Sequence, residues 1–171
     1  MSDWVGLLNE GTMAMENKIN NISLKYVDRE HYYFLEQDFE YDYKSSIINI
    51  EWTNYLEHFE SEITGPVILS FDDYQSKAAG RIKRATVIQK PVRNSKFLIP
   101  RQDFGGQIFA CLYHLGDHKT ISEKYRLLEE WAVENNYEIG PNCYERYVID
   151  YWSIQDPNKF VTEIMLPATK R

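Results

Sequence analysis

The sequence predicts an α+β domain: tandem βαββ units with pseudo-twofold symmetry, a curved, mainly antiparallel sheet with two packed helices, and an N-terminal linker helix. Three observations predict it. Both halves run in the same order, from an alternating segment to one with helical apolar spacing and then to two more alternating segments. Each helical segment is followed by a Gly-Pro pair, Gly65-Pro66 and Gly140-Pro141, which is expected to stop it. The length of 171 residues, 43% of them hydrophobic, suits one domain with a real core.

Taken in order, residues 4–22 place Trp4, Leu8, Met15, Ile19 and Ile22 on one helical face, thinned by Gly6 and Gly11. Such a helix is marginal alone and needs something to pack on, such as another chain. Residues 1–22 are therefore read as a separate helix, whose linker and dimerisation role is what the family resemblance given below implies, and 23–167 as the folded domain. Strands follow at Leu24-Lys25-Tyr26-Val27 and Tyr32-Tyr33-Phe34-Leu35, and residues 36–44 form an acidic, tyrosine-rich loop or strand edge. Ile48, Trp52, Leu56, Phe59 and Ile63 recur at helical spacing. Strands Val67–Phe71 and Arg81–Gln89 complete the first half. The second half repeats this with a strand from Gln107 to His114 and a helix opened by a capping box, Thr120-Ile121-Ser122-Glu123. Its core face carries Ile121, Tyr125, Leu128 and Trp131. Strands Cys143–Asp150 and Phe160–Leu166 close the half. A ligand groove is expected near the symmetry axis.

The strand Cys143–Asp150 holds the most informative residue. Alternation puts Cys143, Glu145, Tyr147 and Ile149 on one face and Tyr144, Arg146, Val148 and Asp150 on the other. The first face is otherwise apolar or aromatic, so Glu145 is a carboxylate on a buried face. Burying it costs free energy unless it is paired, hydrogen-bonded or protonated. Three readings remain open on the strand alone: a core-edge arginine such as Arg84 or Arg126 pairs it, the strand is two-sided and Glu145 is in water, or a ligand meets it. Glu163 faces away from Phe160, Thr162 and Ile164, and either pairs with an arginine or, if the strand bulges, serves as a second pocket carboxylate. With 13 Tyr, 8 Phe and 4 Trp, the chain is rich in rings able to line a pocket or fill a β-rich core.

Composition limits the classes of function. The net charge is −7, and the one basic run, Arg81-Ile82-Lys83-Arg84, straddles both faces of a strand, so direct DNA binding by this chain is not expected. Cys111 and Cys143 lie apart, and His114 and His118 flank Gly116-Asp117 without a third ligand. No metal, cofactor or redox role is therefore expected. The cysteine usage and the lack of a signal peptide or long apolar run point to a cytoplasmic protein that does not engage a membrane.

Several runs together resemble the GyrI-like effector-binding domain that ends many MerR-type and AraC-type bacterial transcription regulators and also occurs alone. They are Gly105-Gly106-Gln107-Ile108-Phe109-Ala110, His114-Leu115-Gly116-Asp117, Tyr125 through Trp131, Gly140-Pro141, Glu145-Arg146-Tyr147 with Asp150, and Thr162-Glu163-Ile164-Met165-Leu166-Pro167. The resemblance spans roughly residues 23–167. It implies a pocket between the halves in which a glutamate in an aromatic cage meets lipophilic organic cations. Glu145 matches that glutamate, Tyr147 its neighbour on the same face, and Phe160 an aromatic of the cage. Tyr113 and Trp152 are added by nearness to the strand ends. The resemblance further implies that residues 1–22 are the end of the linker helix through which such regulators form homodimers.

Two alternatives accompany this reading. Stand-alone relatives include hydrolases of electrophilic small molecules that use a Glu–Tyr pair, here Glu145 with Tyr147 or Tyr113. They also include inhibitors of DNA gyrase, for which the acidic stretch Glu36–Asp42 is the natural contact. No catalytic residue is assigned, and the balance favours a binding domain over an enzyme.

Overall fold

Period-two alternation resolves into nine strands among the described residues of this computed structural model, which are 21–41, 45–92, 99–150 and 153–171, with 45–49 described by backbone alone. The strands are β1 (Ser23–Val27), β2 (Glu30–Asp38), β3 (Ile63–Phe71), β4 (Arg84–Pro91), β5 (Arg101–Phe104), β6 (Gln107–Leu115), β7 (Tyr137–Ile139), β8 (Cys143–Ile149) and β9 (Val161–Lys170). The helices are α1 (Ser45–His58), α2 (Tyr74–Ala78) and α3 (Ser122–Glu134), with single 3₁₀ turns at His118–Thr120 and Pro157–Lys159. Trp152 and the linker helix expected over residues 1–22, up to residue 20, lie outside the described residues.

The sheet runs β1-β6-β9-β8-β3-β4-β2-β5, with β7 attached to β9, and every pairing is antiparallel. The order β2-β4-β3 mirrors β6-β9-β8, so the pseudo-twofold axis passes between β3 and β8. The tandem βαββ architecture is therefore present. It carries an addition that periodicity did not suggest. Strand β1 leads into β2 yet pairs with β6, while β5 leads into β6 yet pairs with β2. The register is continuous across the corner, with Val27 opposite Gln107 and Glu30 opposite Phe104. The two bent ribbons thus run side by side and curl the sheet into a half-barrel. Glycines make that corner: Gly105 and Gly106 have φ of 90° and 75°, and a Cβ on Gly105 would lie 2.2 Å from the Asp28 carbonyl oxygen.

Both helices stop earlier than their Gly-Pro pairs. After α1, Glu60 takes φ 51° and Ser61 N donates to the Leu56 carbonyl; after α3, Asn136 takes φ 61° and Asn135 N donates to the Trp131 carbonyl. Gly65-Pro66 instead sits inside β3, where the register with β4 shifts between Thr64 and Ile68, because proline cannot donate to the ladder. Gly140-Pro141 links β7 to β8. The expected capping box does not form. Asp117 caps the 3₁₀ turn through Lys119 N at 3.0 Å, and the Thr120 hydroxyl bonds back to the Asp117 carbonyl. The strand expected from Arg81 begins at Arg84, because α2 and the left-handed Gly80 precede it.

One sheet face receives the helices. Trp52 and Leu56 of α1 and Tyr125 and Leu128 of α3 pack on Tyr33, Val87, Leu69, Phe71, Ile164 and Leu166. Each fully buried large apolar side chain contributes about 1.5–3 kcal/mol. The opposite face holds a smaller cluster of Ile68, Ile88, Phe104, Phe109, Cys111 and Met165. There the Phe104 ring meets Tyr32 and Tyr144 edge-on.

Candidate functional site

The paired registers line up one row of side chains across six strands on the helix-bearing face: Leu35, Val87, Leu69, Glu145, Ile164 and Leu112. Five are aliphatic. The sixth is Glu145, opposite Leu69 at the symmetry axis and 1% exposed. A carboxylate there must have its charge and lone pairs met from within, and they are. The Tyr125 hydroxyl donates to Oε1 at 2.7 Å, and the Tyr147 hydroxyl donates to Oε2 at 2.8 Å. The Lys77 ammonium lies 2.9 Å from Oε1.

Of the three readings of Glu145 left open by its strand, the paired one holds, with a partner that sequence reasoning did not name. Lys77 comes from the five-residue helix α2, capped by Asp73 through Gln75 N, and is 4% exposed. Its Nζ stands 5.1 Å from the Phe71 ring centre, 5.2 Å from Tyr41, and 5.6 Å from both Phe39 and Tyr125. Four rings and one carboxylate therefore surround a cation that belongs to the chain itself. Burial alone would raise the Glu145 carboxyl, but the adjacent ammonium and the Tyr125 hydroxyl outweigh it and hold the group below the ordinary carboxylate range. Burial, then the neighbouring carboxylate, push the Tyr125 phenol well up, so it stays a donor.

On the other side of Glu145 the Tyr147 ring packs against His118, centres 5.0 Å apart, and His118 packs against Phe160 at 5.5 Å. Phe160 is buried. His118, considered from sequence only as half of an incomplete metal site, is thus part of the aromatic wall, with Nε2 3.2 Å from the Thr162 hydroxyl. Burial, opposed by Glu145, lowers its pKa. Tyr147 also lines an open cleft of about 390 Å³ between the two halves. Trp52, Thr53, Ile63, Val67 and Gln89 contribute from the first half, and Asp150 from the second. The Trp52 indole donates to Gln89 Oε1 at 2.8 Å, which fixes that wall. Strict alternation put Asp150 on the face opposite Glu145. The β8–β9 register shifts between Tyr147 and Ile149, and this bulge carries Asp150 round to the cleft.

The structure does not bring Tyr113 to this site. It lies across the sheet beside Glu163, whose carboxylate pairs with Lys25 at 2.7 Å and Arg146 at 3.3 Å. Lys25 also donates to the Tyr113 hydroxyl at 3.4 Å. Glu163 therefore takes the structural pairing foreseen as one of its two readings. Among the described residues no group of His, Cys, Asp or Glu is arranged to hold a metal. Both cysteines are buried, and burial pushes their thiols up to about 12. No described helix is long and apolar enough to cross a membrane.

Comparison with known proteins places this geometry. The family model of the GyrI-like small molecule binding domain matches residues 25–169. Comparison with curated proteins finds no match. Among solved structures, EcmrR in its DNA complex superposes with TM-score 0.74 at 18% identity over 100% of this chain and 66% of that one, so the present chain spans just under two thirds of that protein. The isolated EcmrR C-terminal domain gives 0.72 at 20% identity, covering 88% of this chain and 98% of that one. A hydrolase from Listeria innocua gives 0.61 at 9%, covering 94% and 97%. SAV2435 bound to tetraphenylphosphonium gives 0.54 at 14%, covering 87% and 94%. At these identities the likeness establishes the shared fold.

Proposed function

This chain belongs to the family of GyrI-like small molecule binding domains, and we propose that it is the sensing domain of a bacterial transcription regulator whose effector is a lipophilic organic cation. The observation that carries the reading is the buried carboxylate of Glu145 on the symmetry axis, held by the same tyrosine that walls the cleft. A ligand entering along Tyr147 and Trp52 meets the Asp150 carboxylate beside it and, past the Tyr147 ring, the negative Oε2 end of the Glu145–Lys77 pair. The rings supply apolar burial and cation–π attraction. A delocalised cation loses little hydration on entering such a site, whereas a compact one loses much. The two walls of the cleft come from different halves, so a ligand between them couples to their relative arrangement. In an intact regulator the N-terminal segment would transmit that coupling to a DNA-binding unit and pair with a second copy. The fold shared with EcmrR in its DNA complex and with SAV2435 bound to tetraphenylphosphonium supports this reading.

The hydrolytic alternative asks Glu145 to take a proton from water. Two hydroxyls and an ammonium already occupy its oxygens, and its depressed pKa makes it a weak base.

The site is tested by tetraphenylphosphonium titration of Trp52→Ala, Tyr147→Ala and Tyr113→Ala. Affinity is expected to fall about tenfold or more in the first two and to hold in the third, which lies across the sheet. Equal affinity in all three would place the ligand elsewhere.

A further inference from the structure

The cage around Glu145 is already full. Its contents are those of an ammonium-binding site, with a carboxylate oxygen 2.9 Å from a nitrogen and four aromatic rings around that nitrogen. We propose that Lys77 is a tethered occupant of an ammonium site, and that a cationic effector reaches Glu145 by displacing it. Lys77 is then the residue that sets how strongly a cation must bind before the domain responds. This rests on the small-molecule reading above and deepens it.

Three observations carry the inference. First, a structural role does not require these charges. The other five members of the Glu145 row are aliphatic, and buried ion pairs are commonly replaced by apolar residues without loss of stability. Second, the element that delivers Lys77 is small. Helix α2 has five residues, and left-handed Gly80 follows it, where a side chain would meet nothing within 4 Å. Its C-terminal end is held by the Tyr41 hydroxyl, which donates to the Lys77 carbonyl at 3.1 Å and accepts from Ile82 N at 3.0 Å. Third, space exists on both sides of the pair. A groove of about 400 Å³ between α2 and α3, lined by Tyr74, Ala78, Ser122, Tyr125 and Glu129, lies on the Lys77 side, and the main cleft lies beyond Tyr147. Movement of α2 would merge the groove with the cage. An occupied site lowers a competitor's apparent affinity by the fraction of time the occupant is out.

The test has two arms. In the first, Lys77→Ala is melted with n-propylammonium, which matches the side-chain portion removed, or with 1-propanol. The ammonium should raise the melting temperature of Lys77→Ala well beyond 1-propanol, and should do so neither for the wild type nor for Lys77→Ala/Glu145→Gln. If Lys77→Ala does not fold alone, recovery of its folded circular dichroism on adding the ammonium is the same result. Equal effects of ammonium and alcohol, or none, would overturn the cage as an ammonium site whatever the effector does. In the second arm, wild-type lysines are briefly acetylated with and without tetraphenylphosphonium and read by peptide mass spectrometry. Labelling of Lys77 should rise about tenfold or more when the cation is bound. Binding with Lys77 still protected would overturn displacement and leave the proposed function standing. Failure of the cation to bind either wild type or Lys77→Met would instead count against the proposed effector, with the first arm still deciding the cage.

Discussion

Glu145 and Lys77 make a strongly coupled pair, and their energetics can be separated from their function. Lys77→Met or Glu145→Gln alone strands a partner in the core and is expected to cost about 3–5 kcal/mol. Lys77→Met/Glu145→Leu restores the aliphatic row and should cost far less than the two singles combined, read by urea denaturation as a double-mutant cycle. Additive losses would contradict the coupling. The same residues set the acid limb of stability. His114 and His118 are held below the ordinary value of 6.5, chiefly by burial. In Glu145 and Glu163, burial pushes upward but paired cations and hydroxyls prevail, holding both below 4.5. In both windows the unfolded chain binds more protons than the folded one, so stability falls as pH falls. Thermal melts should be flat in these contributions above about pH 6.5, decline below it as the histidines charge, and decline further below about pH 4.5. A stability maximum near pH 4 would contradict the assignment. Glu145 was legible in the sequence because period-two alternation names its face. Lys77 was not, since it sits in a five-residue helix too short to show any period, and only the fold brings it to β8. His118 was missed for a related reason: a lone histidine in a strand-to-helix turn looks the same whether it is solvated or stacked.

At the scale of elements, the departures from expectation share a cause. Gly-Pro pairs were read as helix stops, but both stops fall at left-handed non-glycine residues, Glu60 and Asn136, which no dipeptide motif marks. The short elements α2, β5 and β7 also escaped notice, because three to five residues carry too little pattern to be distinguished from loops. Of these, α2 matters most, as it delivers Lys77. Its stability rests on the Asp73 cap, which accepts from Gln75 N at 3.1 Å and the Ser76 hydroxyl at 2.6 Å. Asp73→Ala should therefore speed hydrogen exchange of the α2 amides and raise acetylation of Lys77, while α3 keeps its protection. Unchanged exchange in α2 would show that packing, not the cap, holds it. The bulge in β8 is a second local device, since it brings Asp150 round to Tyr147 and the cleft.

Over the whole molecule, the repeated strand-helix-strand-strand order was readable because each half shows its own periodicities, and the axis between β3 and β8 follows from it. The exchange of β1 and β5 between halves was not readable, since it depends on pairing between segments far apart in the chain. That exchange locks the halves through the corner at Gly105. Gly105→Ala would drive a Cβ to 2.2 Å from the Asp28 oxygen in a left-handed conformation, with an expected loss of about 3 kcal/mol or more in denaturant titration. A neutral substitution would mean the corner can open freely. The halves are thus tied at one end and face each other across the cleft near the axis.

The most direct test of a charge-reading pocket is a calorimetric titration of the wild type and Glu145→Gln with tetraphenylphosphonium and with neutral triphenylphosphine oxide. The account predicts that the wild type prefers the cation by at least about tenfold and that Glu145→Gln, verified as folded, loses that preference. Equal affinity of the wild type for both compounds, or a preference that survives in Glu145→Gln, would contradict it.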